Sequence, residues 1–240
     1  FVKIEEWILP YDCVICLNIS DQKRDICQTC QKQLPYLLYA CIQCANSLPD
    51  QNSLNQQCGR CIKNTPYYDR TIVGFTYTTP IHAWIKQFKF HKKGIYANIL
   101  CQIYAEKLIA YYQLYPENKP QRLISVPLHW RRLISRGYNQ TDTIARYLSK
   151  ALNIPMINSR HIKRVKFTLP QAQLSRKKRH HNVLGAFKVK KRIPIQHIAI
   201  VDDIFTTGNT VNELAKELKK AGISTVSIFA LARATRSCTV

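Results

Sequence analysis

The sequence predicts an α/β protein: a parallel sheet flanked by helices, preceded by a small domain built on cysteine. Three observations carry that prediction. Eight of the ten cysteines fall into four Cys-x-x-Cys pairs within the first 61 residues. The remainder alternates short apolar runs with segments of helical spacing, the pattern of a parallel sheet with crossover helices. One apolar run, 198–201, ends in two adjacent acids and a Thr/Gly turn that opens a helix. The division expected from this is 1–65 for the cysteine domain and 66–240 for the α/β domain, with Asn64-Thr65-Pro66 as the boundary.

The cysteine pairs are Cys13/Cys16, Cys27/Cys30, Cys41/Cys44 and Cys58/Cys61, separated by 10, 10 and 13 residues. A Cys-x-x-Cys turn aims two thiolates at one metal, and a second turn completes a tetrahedron at Zn–S distances near ~2.3 Å. Four pairs therefore make two Cys₄ zinc sites. Sequential use predicts Cys13, Cys16, Cys27 and Cys30 in one and Cys41, Cys44, Cys58 and Cys61 in the other; a cross-braced pairing fits the spacing too. A disulfide framework belongs to secreted domains, whereas Phe1-Val-Lys-Ile-Glu-Glu-Trp has neither the basic start nor the apolar stretch of a signal peptide. Iron–sulfur ligation is a further option. With every ligand position filled, the sites are structural. Cys101 reads as a small buried hydrophobe and Cys238 as a tail residue. No run of 18 apolar residues indicates a membrane span, and a reducing, cytoplasmic setting is expected.

Along the α/β part, Ile72-Val-Gly-Phe-Thr-Tyr-Thr reads as a strand ended by Pro80. Residues 81–92 have helical spacing at Ile81, Trp84, Ile85 and Phe88, with Lys86, Lys89, Lys92 and Lys93 as a basic edge. A second helix is expected over 96–113, then a loop at Tyr115-Pro-Glu-Asn-Lys-Pro and a strand over 122–127. Gln140 to Leu152 is helical through Ile144, Ala145, Leu148 and Leu152, with Asn139 or Thr141 as cap. Segments 160–166 and 183–189 alternate as strands around a basic loop. Strand 198–201, a helix over 210–221 with Val211, Leu214, Ala215, Leu218 and Ala221 on one face, and strand 224–231 complete the pattern, with Gly222 at the helix C-terminus.

Charge is unevenly distributed. Residues 1–65 carry six Lys/Arg and six Asp/Glu, whereas 121–192 carry 18 Lys/Arg against the single acid Asp142. That asymmetry points to a polyanionic partner, a nucleic acid or a heavily phosphorylated small molecule. Parallel sheets bind ligands at the carboxyl ends of their strands. The loops after 122–127 and 198–201 and the basic loop 167–182 are expected to converge there.

The segment Ile198-Ala-Ile-Val-Asp-Asp-Ile-Phe-Thr-Thr-Gly-Asn-Thr210 has the chemistry of a phosphosugar site. Asp202 and Asp203 can accept hydrogen bonds from vicinal hydroxyls, directly or through Mg²⁺. Thr206, Thr207, Gly208, Asn209 and Thr210 offer backbone N–H groups at a positive helix end. The run resembles the phosphoribosyl pyrophosphate (PRPP) signature of type I phosphoribosyltransferases, with Phe205 where a smaller aliphatic residue is usual. Opposite it, His129, Arg131 and Arg132 are candidates for binding pyrophosphate, for which planar guanidinium forks are suited. Arg136-Gly-Tyr138-Asn139-Gln140 places an arginine and two amides before a helix. Gln171, Lys177, Arg179 and Asn182 lie in the basic loop, which reads either as a lid over a bound anion or as a contact to nucleic-acid phosphates. Trp130, Tyr138 and Phe167 could stack on unpaired bases.

Together the chain resembles the ComF/GntX family of competence-associated, phosphoribosyltransferase-like proteins. The resemblance rests on the four cysteine pairs with Cys58-Gly-Arg-Cys61, Val126-Pro-Leu-His129, Arg136-Gly-Tyr-Asn-Gln140, the set Gln171/Leu174/Arg179/Asn182, and Val201-Asp-Asp-Ile-Phe-Thr-Thr-Gly-Asn-Thr210. It implies a double zinc ribbon ahead of a type I phosphoribosyltransferase-like domain. It also implies Mg²⁺-PRPP as ligand and a role in DNA uptake during natural transformation. That role would involve single-stranded DNA on the cytoplasmic side and contacts with competence-machinery proteins. Turnover as a phosphoribosyltransferase on an unidentified nitrogenous base, or PRPP-responsive regulation, are the alternatives.

Overall fold

In the computed structural model, residues 11–50, 56–91, 94–130, 133–134, 137–158, 161–166, 183–189 and 193–234 are described. Two one-turn helices, α1 (Gln28–Lys32) and α2 (Gly59–Lys63), belong to the cysteine-rich part. There follow β1 (Arg70–Thr76), α3 (Ile81–His91), α4 (Gly94–Leu114), β2 (Arg122–Ser125) and α5 (Gln140–Leu152). The chain continues through β3 (Ile162–Arg164), β4 (Phe187–Val189), β5 (His197–Phe205), α6 (Asn209–Lys220) and β6 (Thr225–Arg233). The main sheet has the order β1-β6-β5-β2, with every neighbouring pair parallel. β3 and β4 form a separate antiparallel pair.

Because side chains alternate across a strand, the central strands feed two apolar layers. Ala199, Val201, Phe229 and Leu231 pack with α3, α4 and α5. Ile198, Ile200, Val226, Ile228 and Ala230 pack with α6 and with Phe187 of β4. Burial on both faces explains why these strands read as continuous apolar runs. The approach of α4 to the sheet is close. A Cβ on Gly74 would lie 3.0 Å from the Leu231 carbonyl oxygen and 3.1 Å from Cδ2 of Tyr104. The hydroxyl of Tyr104 donates to the Ile72 carbonyl oxygen at 2.7 Å.

β1 is an edge strand, and an uncovered edge is a template for unwanted pairing. The cysteine-rich part covers it. Thr76 N–H donates to Pro35 O (2.7 Å), Thr71 N–H to Ile42 O (2.9 Å) and Leu37 N–H to Gly74 O (3.5 Å). The β2 edge is covered by residues 155–157, where Leu123 N–H meets Pro155 O at 3.0 Å and Ile157 N–H meets Leu123 O at 2.8 Å.

The strands expected over 122–127, 160–166 and 183–189 shorten to Arg122–Ser125, Ile162–Arg164 and Phe187–Val189. β5 runs to Phe205 instead of stopping at 201, because its ladder with β6 continues through Asp202↔Ala230 to Phe205↔Arg233. The helix starting at Gln140 has Asn139 at its N-cap, but no side-chain capping bond is made. The Asn139 amide instead donates to Val126 O at 3.2 Å, and Thr141 Oγ1 donates to the same carbonyl at 3.0 Å.

Lys107 of α4 ties the two parts together. Its Nζ donates to Val73 O of β1 at 2.8 Å and to Leu37 O of the cysteine-rich part at 3.2 Å. Burial lowers this ammonium to about 8. A lysine depressed in the folded state contributes stability that is complete above its unfolded value and is lost as pH falls through the folded one. The unfolding free energy of the wild type relative to Lys107→Met should therefore rise between pH 8 and about 10.4, by on the order of 3 kcal/mol. Denaturant titrations of the zinc-loaded protein across that window measure it. A flat difference would show that the lysine keeps its ordinary affinity for protons.

Candidate functional site

The eight paired cysteines gather sequentially. Cys13, Cys16, Cys27 and Cys30 form one cluster and Cys41, Cys44, Cys58 and Cys61 the other, with all sulfurs of a cluster within 4.8 Å of one another. This resolves the pairing that spacing left open. A tetrahedral Zn(Cys)₄ centre requires sulfurs about 3.8 Å apart. The structure places Cys16 and Cys27 Sγ at 3.9 Å and Cys44 and Cys58 Sγ at 3.6 Å. Backbone N–H groups of Cys44 and Cys58 point at Cys41 Sγ at 3.5 and 3.2 Å, and Cys30 N–H points at Cys27 Sγ at 3.5 Å. Such donors stabilise thiolates. None of the nine described cysteines is in a disulfide. Cys101 is buried in the core, and burial pushes its thiol up to about 12.

The second site lies at the carboxyl end of β5. Since Asp202 and Asp203 are both inside the strand, the pleat sends their side chains to opposite faces. Asp203 Oδ2 pairs with Lys89 Nζ of α3 at 2.7 Å, and both side chains are largely covered. Asp202 lies toward the other face, where Arg164 of β3 is a favourable neighbouring charge. Burial, and then the Asp203 charge, raise the Asp202 carboxyl to about 7, against the smaller opposing effect of Lys89. Each acid also accepts from the following backbone N–H: Asp202 Oδ1 from Asp203 (2.9 Å), Asp203 Oδ1 from Ile204 (2.7 Å).

Past the strand, residues 206–208 turn sharply into α6. Gly208 has φ +78° and is the N-cap of α6. A Cβ there would sit 2.7 Å from Cζ of Phe205 and 3.1 Å from the Tyr68 hydroxyl, so only glycine fits. Thr207 Oγ1 accepts from Asn209 N–H at 3.4 Å. No acid stands in the first turn of α6, so its positive end is not neutralised locally. Arg233, 3 % exposed, donates through Nη1 to the carbonyls of Phe205 (2.9 Å), Thr206 and Ala234 (3.0 Å), and its guanidinium lies 4.8 Å from the Phe205 ring centre.

The segment before α5 faces inward. The Tyr138 hydroxyl donates to Phe88 O at 2.6 Å, and its ring meets Phe88 edge-on at 6.1 Å. Gln140 is buried, and its amide donates to Lys89 O at 3.5 Å. Tyr138, Asn139 and Gln140 thus grip the end of α3 and the end of β2, holding the helix turn that delivers Lys89. His129 is buried beside Trp130 (5.6 Å between ring centres), while Trp130 is 59 % exposed. Arg131, Arg132, Arg136, Gln171, Lys177, Arg179 and Asn182, like Phe167 and Cys238, lie outside the described residues.

Sequence reasoning misses Lys89, Arg164, Arg233 and Tyr68 as neighbours of the acid pair and the turn. Lys89 could have been found: it directly follows Phe88 on the apolar stripe, so it borders the buried face of α3 rather than its solvent edge. Arg233 carries the weaker signal of a charge closing an otherwise apolar strand.

Residues 4–62 match the family model of the double zinc ribbon domain. The chain is 34% identical over 228 residues to competence protein F of Haemophilus influenzae, covering 93% of this chain and 97% of that protein. It is 32% identical over 226 residues to the DNA utilization protein YhgH of Salmonella typhimurium, covering 94% and 98%. It is 25% identical over 163 residues to competence protein ComFC of Streptococcus pneumoniae, covering 66% of each. A purine phosphoribosyltransferase from Pyrococcus horikoshii superposes over 57% of this chain and 72% of that one at 20% identity, with a TM-score of 0.32, too slight a likeness to carry an argument.

An acid raised in the folded state contributes stability that is present below its unfolded value and lost as pH rises through the folded one. Asp202→Asn should therefore unfold like the wild type near pH 4 and be more stable above pH 7, by on the order of a few kcal/mol. Thermal denaturation at the two pH values measures this. A variant less stable at pH 8 would mean that the ionised carboxylate is well accommodated.

Proposed function

The chain belongs to the family of competence protein F and the YhgH DNA utilization proteins, and we propose that it binds PRPP at the carboxyl end of β5 and acts in DNA uptake, handling single-stranded DNA in the cytoplasm. The observation that carries this reading is the junction of β5 and α6. Two carboxylates near the end of β5 precede a glycine-opened helix whose first turn holds no acid. Buried acids without a ligand cost stability, and a raised Asp202 at a strand end is a mark of a binding site.

In this reading Asp202 and Asp203 accept the ribose hydroxyls, with Lys89 giving up its ion pair to admit the sugar. The backbone and hydroxyls of residues 206–210 receive the 5-phosphate. His129, Arg131 and Arg132 would bind the pyrophosphate. Mg²⁺, a hard cation that favours oxygen donors, would neutralise the pyrophosphate, and the carboxylates suit such an ion. Single-stranded DNA would be held along the basic stretch 121–192 by phosphate contacts, with the exposed Trp130 as a stacking platform.

Two measurements test the two halves separately. In calorimetric titration with Mg²⁺-PRPP, Asp202→Ala combined with Asp203→Ala should abolish binding while leaving single-stranded DNA binding intact. Retention of PRPP affinity by the double variant would end the assignment. For DNA, anisotropy with a labelled oligonucleotide should show affinity falling with salt by about 0.7 log units per neutralised phosphate per log unit of salt. Trp130→Ala should lose about 1–3 kcal/mol of that affinity. Salt-independent binding, or none, would remove the nucleic-acid role. Release of pyrophosphate from PRPP in the presence of nitrogenous bases would add catalysis to the binding function.

A further inference from the structure

The second cysteine cluster and the turn at residues 206–210 are parts of one block. The knuckle formed by Cys41–Cys44 is fastened to the start of β1 at three points. Thr71 N–H donates to Ile42 O at 2.9 Å, Thr71 Oγ1 donates to Gln43 O, and the Gln43 amide donates to Tyr68 O at 3.1 Å. Gln43 is itself buried, and its Oε1 accepts from Gln57, the neighbour of Cys58, at 3.0 Å. Both cysteine pairs of this cluster therefore meet at one amide, and that amide holds Tyr68.

Tyr68 carries the linkage to the turn. It is 2 % exposed, its ring meets Phe205 edge-on at 5.9 Å, and its hydroxyl closes the space beside Gly208. Arg233 also lies against Phe205 and holds the Phe205 and Thr206 carbonyls. Charge reinforces the packing. The guanidinium groups of Arg60 and Arg233 both lie within electrostatic reach of Cys44, and a Cys₄ zinc centre carries two negative charges against one or both of them. The first cluster is placed differently: Cys13, Ile26, Cys30 and Leu34 pack into the layer containing α3, α4 and α5.

We infer that the second zinc centre is a positioning element of the phosphosugar site: through Gln43, Tyr68 and Arg233 it sets the shape of the turn, so that zinc retention at this centre and anion binding at the turn are coupled. Coupling of this kind is reciprocal. The part concerning the anion rests on the PRPP reading above; the part concerning the turn does not.

The test follows zinc loss from the full zinc-loaded chain into a competing chelator, with cysteine alkylation and mass spectrometry assigning which cluster opens. Gly208→Ala, which forces the turn against Phe205 and Tyr68, should release zinc from Cys41, Cys44, Cys58 and Cys61 about tenfold faster and leave the first cluster at its wild-type rate. In the wild type, Mg²⁺-PRPP should slow release from that same cluster. Gln43→Met, which keeps all eight ligands, should abolish the PRPP effect. Unchanged release in Gly208→Ala, or equal acceleration at both clusters, overturns the coupling; should that variant not fold, a PRPP effect undiminished in Gln43→Met overturns it. A chain that binds no PRPP, yet opens the second cluster early in Gly208→Ala, retains the coupling and removes only the ligand reading.

Discussion

The parallel ladder between β5 and β6, which runs from His197↔Thr225 to Asp202↔Ala230 and resumes at Ile204↔Ala232 and Phe205↔Arg233, is the constraint on which the site depends. Because pairing persists beyond the apolar core of the strand, Asp202 and Asp203 are held in extended backbone at the sheet's carboxyl end. Alternation then gives each acid a different face: Asp203 pairs with Lys89, while Asp202 feels the charge of Lys89 and, more weakly, that of Arg164. The final register pair brings Arg233 beside Phe205, where the guanidinium donates to the Phe205 and Thr206 carbonyls at the turn.

The edges of the sheet decide how the cysteine-rich part relates to it. A four-stranded sheet has two open edges, and here β1 is covered by the peptide that carries the zinc ligands. The zinc sites thus stabilise more than their own loops. They hold a short, poorly cored segment, which could not remain ordered by apolar burial alone, against an edge strand that needs a partner. Lys107 reinforces the same seam through two carbonyls, one from each side.

Charge burial runs through the same region. Lys107 is held by neutral carbonyls, Asp202 by a backbone N–H, and Arg233 by three carbonyls. Buried charges of this sort lower stability relative to well-packed apolar residues. In Asp202 the cost falls at the strand end where a ligand would be received. In Lys107 and Arg233 the charge joins carbonyls of separate segments. The first pattern is that of a binding site, the second that of a structural fastening.

What the sequence determined by itself was whatever local spacing controls. Each Cys-x-x-Cys turn, the parallel α/β alternation, the glycine of the 206–210 turn and the helix faces at Ile144/Leu148 and Leu214/Leu218 follow from periods of a few residues, which report burial directly. The tertiary structure decided what depends on distance between segments. It chose the sequential pairing of the cysteine clusters, extended β5 through both acids, turned Tyr138 and Gln140 inward onto the end of α3, and made Lys89 the partner of Asp203. The reason is physical: periodicity tells a residue which side is buried, but only packing and hydrogen-bond register tell it what it is buried against.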